Sequence, residues 1–399
     1  MTDSHPTIRP LAARPRRPAP VLASSIRPVV LVVALSALLA ALLAACSADP
    51  PAAVRPGTST GGTSARSQPT VPQGPPATMP PAHGNAADPA TIVTSGRNLP
   101  DPDVIKVPGG YQLYASQTGV GTLRIATAFT TNLRHWPVAH SAVAFVPPWA
   151  VNGFLWSPDV RFVAGQYVMY FDSLVPATVW DSPGQTGLGH YAQCIGLAVA
   201  HHPGGPFFGT SFPLVCDFAA HGAIDPRTFV AADGTLWLDW KSDTNANTPA
   251  PYSPSTIYAQ QLAPNGLALA GPRHKLMTAD ASWQLGITEA PDMVEIQGRF
   301  WLFYSGSWFN QPTYGIGIAS CDGPAGPCHD LSTNGPWLGS NDQGDGPGEE
   351  SVLEDRAGNW WLLYSPWADG WDSRTYRPVA MALLGFGASG PYVAKAPSA

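Results

Sequence analysis

The chain has 399 residues, a formal net charge of −6 and only 12% charged residues, against the usual quarter. That balance leaves no basic patch, which argues against nucleic acid as a partner. Fourteen tryptophans on a charge-poor chain suit neutral ligands such as sugars, although aromatic strand positions also pack routinely within sheets.

The N-terminal segment carries Arg9, Arg14, Arg16, Arg17 and Arg27, then an uncharged run over 28–45 rich in Leu, Val and Ala. It ends in Leu43-Ala44-Ala45-Cys46. A basic start, an apolar run and small residues before a cut describe a secretory signal. The tetrapeptide resembles a bacterial lipobox, which implies export and a lipid anchor on Cys46 at the outer face of the cell membrane. Residues 1–45 are thus expected to be a lipoprotein signal peptide. Residues 46–88 are mostly Pro, Ala, Gly, Ser and Thr. They bury too little apolar surface to offset ordering entropy and are expected to be a disordered tether.

From 89 to 399 the chain shows no sustained helical stripe. It repeats a strand–turn–strand pattern five times instead. The copies begin DPDVIKVPGGYQLY at Asp101, SPDVRFVAGQYVMY at Ser157, DPRTFVAADGTLWLDW at Asp225, EAPDMVEIQGRFWLFY at Glu289 and EESVLEDRAGNWWLLY at Glu349. Each has an acid near its start, an apolar strand, a turn with Gly and an aromatic close. The closing aromatics Tyr114, Tyr170, Trp240, Tyr304 and Tyr364 recur 56–70 positions apart. One hairpin cannot bury its own apolar face, and radial packing lets each cover the next. The expectation is an all-β fold, a single-domain five-bladed β-propeller over 89–399.

Beyond Cys46 there are four cysteines, Cys194, Cys216, Cys321 and Cys328. An even number in an exported chain reads as two disulfides. Three pairings exist, and closeness in sequence favours Cys194–Cys216 with Cys321–Cys328. No zinc spacing appears, and adjacent His201 and His202 read as surface residues.

The inner strands of a propeller converge on a central channel. Asp101, Asp159, Asp225, Glu289 and Glu349 or Glu350 therefore become neighbours at one rim. Crowded carboxylates repel, so at least one is expected to hold its proton at neutral pH. A protonated acid beside an ionised partner is the equipment of glycosidic-bond hydrolysis.

Four short elements in order give a specific resemblance: Asp101-Pro102-Asp103, Trp156-Ser157-Pro158-Asp159, Ile224-Asp225-Pro226 and Glu289-Ala290-Pro291. Residues from about 88 to 393 are similar to family 43 glycoside hydrolases, five-bladed propellers acting on arabinose- and xylose-containing glycans. The resemblance implies Asp101 as general base, with Asp103 as fallback, Glu289 as general acid and Asp225 as the residue tuning that acid. It implies inversion in a single displacement, with base and acid roughly 6.5–9.5 Å apart to admit water. It implies sugar contacts for Trp156, Trp308, Glu349 and Arg374, and a structural or sugar-contacting role for Asp159. No cofactor and no catalytic metal follow, though a structural cation such as calcium in the central channel is compatible. The expected partner is an oligo- or polysaccharide, and the expected state a monomer. One departure stands out. Where the family has His after Gly-Pro-Gly, this chain has Glu349 after Gly346-Pro347-Gly348. That keeps open a catalytically impaired, carbohydrate-binding propeller as the alternative.

Overall fold

The computed structural model describes residues 91–92, 97–118, 121–137, 139–175, 192–244, 253–370 and 376–394. The signal, the tether, Cys46 and Arg374 lie outside them.

The first strand, β1 (Thr91–Ile92), belongs to the last blade. Blade I contains β2 (Asp103–Val107), β3 (Gly110–Ala115), β5 (Ala126–Thr130) and β6 (His140–Ser141), while β4 (Gln117–Thr118) crosses to the next sheet. Blade II is β7 (Phe154–Val163), β8 (Gln166–Val175), β9 (Ala192–Ala200) and β10 (Phe208–Gly209), joined by β4. Blade III is β11 (Ala223–Val230), β12 (Leu236–Ser242), β13 (Thr256–Leu262) and β14 (Leu269–Thr278). Blade IV is β15 (Thr288–Ile296), β16 (Arg299–Gly306), β17 (Gly315–Cys321) and β18 (Cys328–Asp330). Blade V is β19 (Asp345–Glu354), β20 (Trp360–Trp367), β21 (Ala380–Gly387) and β22 (Gly390–Val393). Every pairing within these sheets is antiparallel. Among the described residues, helix is confined to the 3-10 turns Phe218–Ala220 and Ser282–Gln284. The fold is an all-β, five-bladed propeller.

β1 pairs with β21 through Thr91↔Met381 and Ile92↔Ala380, so residues preceding blade I complete blade V. The Leu99 amide extends this seam by donating to the Arg377 carbonyl. Two inner hairpins turn on Ala164-Gly165 and Gln297-Gly298, all four residues left-handed. Positive φ at both turn positions gives the tight turn whose twist matches antiparallel strands.

The apolar side chains collect between blades. Tyr114 and Val107 of blade I pack with Met169 and Phe171 of blade II. Tyr170 and Leu197 of blade II meet Leu238 and Trp240 of blade III. Phe229 and Ile257 of blade III meet Leu302 and Tyr304 of blade IV. Trp301 and Phe303 of blade IV meet Leu362 and Tyr364 of blade V. Leu363 and Met381 of blade V close the ring on Val104 and Leu113 of blade I. Each hairpin covers its neighbour, the reason this pattern needs a ring.

The strand register corrects the phase of the aromatic repeat. Tyr114 and Tyr170 stand opposite Asp103 and Asp159, whereas the matching positions in the later blades are Asp239, Phe303 and Leu363. Trp240, Tyr304 and Tyr364 lie one residue further on, and so on the other face of their strands. All five aromatics are nonetheless buried. The disulfides are Cys194–Cys216 and Cys321–Cys328, as sequence proximity favoured.

Candidate active site

Each inner strand bends near its start. Asp101, Ser157, Asp225, Ala290 and Glu349 all have positive φ, between 46° and 56°. In four blades the next residue is Pro, and from blade II to blade V the ladder slips around this position. Proline donates no amide, so it fits where a ladder bond is missing. A bulge of this kind re-aims side chains. Here it turns Asp101, Asp225 and Glu349 toward one mouth. Glu289, one residue before its bend, reaches the same place.

Asp225, Glu289 and Glu349 are 7–8% exposed and bring one oxygen each within 4.8 Å of the others. Their partners are specific. Ser157 Oγ donates to Asp225 Oδ1 at 2.8 Å, and the Ala290 amide donates to Asp225 Oδ2 at 3.1 Å. Lys241 Nζ donates to Glu289 Oε2 at 2.8 Å and lies 3.7 Å from Asp243. Tyr314 Oη touches Glu289 Oε1 at 2.7 Å and Glu349 Oε1 at 2.9 Å. Asp101 stands outside this cluster, held by Ser116 and 4.0 Å from Arg377. Glu289 nevertheless acts on it electrostatically.

The mouth is electrostatically strained. Burial, then the Glu289 charge, pushes Asp225 up to about 7. Burial raises the Asp101 carboxyl too, against the pull of Arg377. Glu349 is held well above the usual carboxylate range by burial and by Asp225, Asp101 and Glu289. Crowded acids in a desolvated pocket cannot all ionise.

Among the described residues, Asp225, Glu289 and Glu349 are close enough together to hold a cation. Lys241 already pairs with Glu289, and Tyr314 engages Glu289 and Glu349.

Asp159 does not belong to this mouth. It lies fully buried one tier further along the inner strands, with Asp103 and Asp292. Arg227 occupies the equivalent position in blade III. Its guanidinium stands 3.7 Å from Asp103 and 4.0 Å from Asp159, and donates to the carbonyls of Pro158 and Glu350. Thr228 Oγ1 donates to Asp159 Oδ2. Asp103 makes its own bonds here, accepting from the Val160 amide at 2.8 Å. These contacts knit the blades around the channel and leave Asp159 no path to a sugar.

Trp156 is half-buried and level with Glu289 in register; its Nε1 donates to Thr118. Trp308 is half-buried beside exposed Phe309, whose carbonyl accepts from Trp367 Nε1 at 3.0 Å. Arg377, three residues past Arg374, is the described arginine of this segment at the mouth. It donates to the Ser365 carbonyl and lies over the rings of Tyr314 and Trp367.

Sequence reasoning missed Lys241, Arg227, Arg377 and Tyr314. Two left signals. Pro226-Arg227 breaks the run of Pro102-Asp103, Pro158-Asp159 and Pro291-Asp292, and Lys241 is a cation ending an aromatic strand. Tyr314 sits in a connection outside the repeat and left none.

These features define a five-bladed β-propeller with an acid-lined central mouth. The chain belongs to the glycosyl hydrolases family 43, whose pattern it matches over residues 91–382. It is 24% identical over 263 residues to the extracellular endo-alpha-(1->5)-L-arabinanase 2 of Bacillus subtilis (strain 168), a span of 59% of this chain and 50% of that protein. Its fold resembles a thermostable family-43 glycoside hydrolase (TM-score 0.63, 24% identity, 76% of this chain and 96% of that one). It also resembles an endo-1,4-beta-xylanase from Bacteroides thetaiotaomicron (0.61, 20%, 77% and 97%). A third is the Cellvibrio cellulosa alpha-L-arabinanase complexed with arabinohexaose (0.57, 16%, 75% and 96%).

Proposed function

We propose that the protein hydrolyses glycosidic bonds of arabinose- or xylose-containing glycans by a single inverting displacement. The observation that carries this is the meeting of Asp101, Asp225 and Glu289, from three blades, around one mouth. Glu289 donates a proton to the leaving oxygen. Asp101 accepts a proton from the attacking water, and its place outside the tight cluster leaves room for that water. Asp225, within 4.8 Å of Glu289, sets the charge that the acid feels. No cofactor enters this chemistry. Half-buried Trp156 and Trp308 flank the mouth as sugar-stacking surfaces. The arabinanase and xylanase relatives support the two substrate classes.

Removal of a general acid costs about 10²–10⁴-fold in rate. Glu289→Gln is therefore expected to lose that factor in kcat on arabinan, xylan and aryl glycosides while still binding oligosaccharide. Glycan binding by wild type without release would favour the impaired, binding-only propeller, the reading that Glu349 keeps open.

The same proposal places the enzyme outside the cell, anchored through Cys46. The extracellular arabinanase relative supports export. The chain should partition with membranes and become soluble as Cys46→Ser; a membrane-bound Cys46→Ser chain would contradict the anchor.

A further inference from the structure

Away from the mouth, blade II carries a cleft of about 330 Å³. Gln166, Val199, His201, His202, Pro206 and Phe208 line it. It lies at the hairpin end of the blade. Gln166 pairs with Val163, seven residues beyond Trp156 along β7, or about 23 Å at the usual strand rise. The cleft is therefore separate from the acid-lined mouth.

The backbone holds Phe208 outward. Phe207 before it is fully buried and packs edge-on with Tyr114. The Phe207 amide donates to the Ala142 carbonyl, and its carbonyl accepts from the Ala144 amide, both at 2.8 Å. Gly209 after it lies so close to Pro147 that an added Cβ would stand 2.5 Å from that ring. Successive side chains of a strand face opposite ways. With Phe207 fixed inside, Phe208 stays outside, 53% exposed. Phe145, 73% exposed, stands beside it with ring centroids 6.2 Å apart. Single exposed apolar residues are ordinary, but two rings held together beside a cleft mark a binding surface.

The lining says what the cleft takes. None of its residues is Asp, Glu, Lys or Arg. A surface that docks on anionic lipid needs cations, and this lining has no fixed positive charge. Aromatic faces with a few hydrogen-bonding side chains suit a neutral, hydroxyl-rich chain. The C–H faces of the sugars stack on the rings, and their hydroxyls bond to Gln166, His201 and His202.

We propose that this cleft, with Phe208 and Phe145 as its stacking platform, is a second glycan-binding site that holds a neutral polysaccharide away from the mouth. That the polysaccharide contains arabinose or xylose rests on the proposed function; the site itself does not. A polymer held there is presented to the mouth at raised local concentration.

Affinity electrophoresis through gels holding arabinan or xylan tests this, with Glu289→Gln as the parent so that the polymer is not cut. At least one gel should retard the parent. Phe145→Ala with Phe208→Ala should weaken that retention about tenfold. Phe208→Trp, which keeps an aromatic face, should preserve it. Retention unchanged in the double-alanine protein would overturn the proposal, and binding to phosphatidylglycerol vesicles lost in that same protein would then assign the rings to a membrane. A parent that neither gel retards would also overturn it; sugar release by wild type would then show that the hydrolase reading stands alone. Retention that depends on both rings, with no sugar released by wild type, would uphold the cleft and remove the hydrolase.

Discussion

At the residue scale, charge placement separates two tiers of acids that look alike in sequence. Asp103, Asp159 and Asp292 follow a proline just as Asp225 precedes one, yet the first three surround Arg227 and the last opens to the mouth. Arg227 is the main cation of the inner tier, with Arg161 behind it, and Asp292, Asp103 and Asp159 act on Arg227 electrostatically in that order. Taking one partner from a buried ion cluster costs about 3–5 kcal/mol, because the remaining charge is left uncompensated. Arg227→Met is expected to lose that much stability in urea unfolding at pH 7; a loss under about 1 kcal/mol would mean the surrounding acids are neutral without it. The mouth acids were legible because Asp101, Asp225 and Glu289 each sit beside a proline-marked bend. Asp159 was misplaced because sequence order does not reveal which residue of Ser157-Pro158-Asp159 takes the left-handed conformation. In the structure Ser157 takes it, and Ser157 then supports Asp225 by its hydroxyl.

At the element scale, the hairpin repeat carried the fold because its physical demand is local. An apolar strand pair with a glycine turn must find a second one to cover it. Five copies in one chain therefore imply closure, and five interblade cores are what the chain builds. The outermost strands of three blades were not legible. β6, β10 and β18 are only two or three residues long, too short for any periodicity to register. The aromatic closes misled by one residue because both faces of a second strand are buried in a propeller, so an aromatic satisfies either face. β1 was hidden for a related reason: two residues, Thr91 and Ile92, complete a sheet by pairing with Met381 and Ala380 near the other end of the chain.

At the scale of the whole molecule, the acids make stability depend on pH in an unusual direction. Burial lifts Asp103 and Asp225 to about 7 and Asp292 to about 6, from an ordinary 3.8. Between about pH 4 and pH 7 the folded chain thus binds more protons than the unfolded chain. Stability then falls as pH rises through that window, where most proteins are gaining or level. The melting temperature is expected to be higher at pH 5 than at pH 8, read by calorimetry; a rise across that interval would show these carboxyls ionised in the fold. The same arrangement also leaves one mechanistic alternative in view, because Asp225 lies within 4.8 Å of Glu289, near the spacing of about 5–5.5 Å that a retaining nucleophile uses. Proton NMR of the first sugar released from an arabinan or xylan oligosaccharide decides between them. Water activated by Asp101 must yield the anomer opposite to that of the substrate. A first product with the substrate's own anomeric configuration would make Asp225 a nucleophile and contradict the division of labour among the three acids.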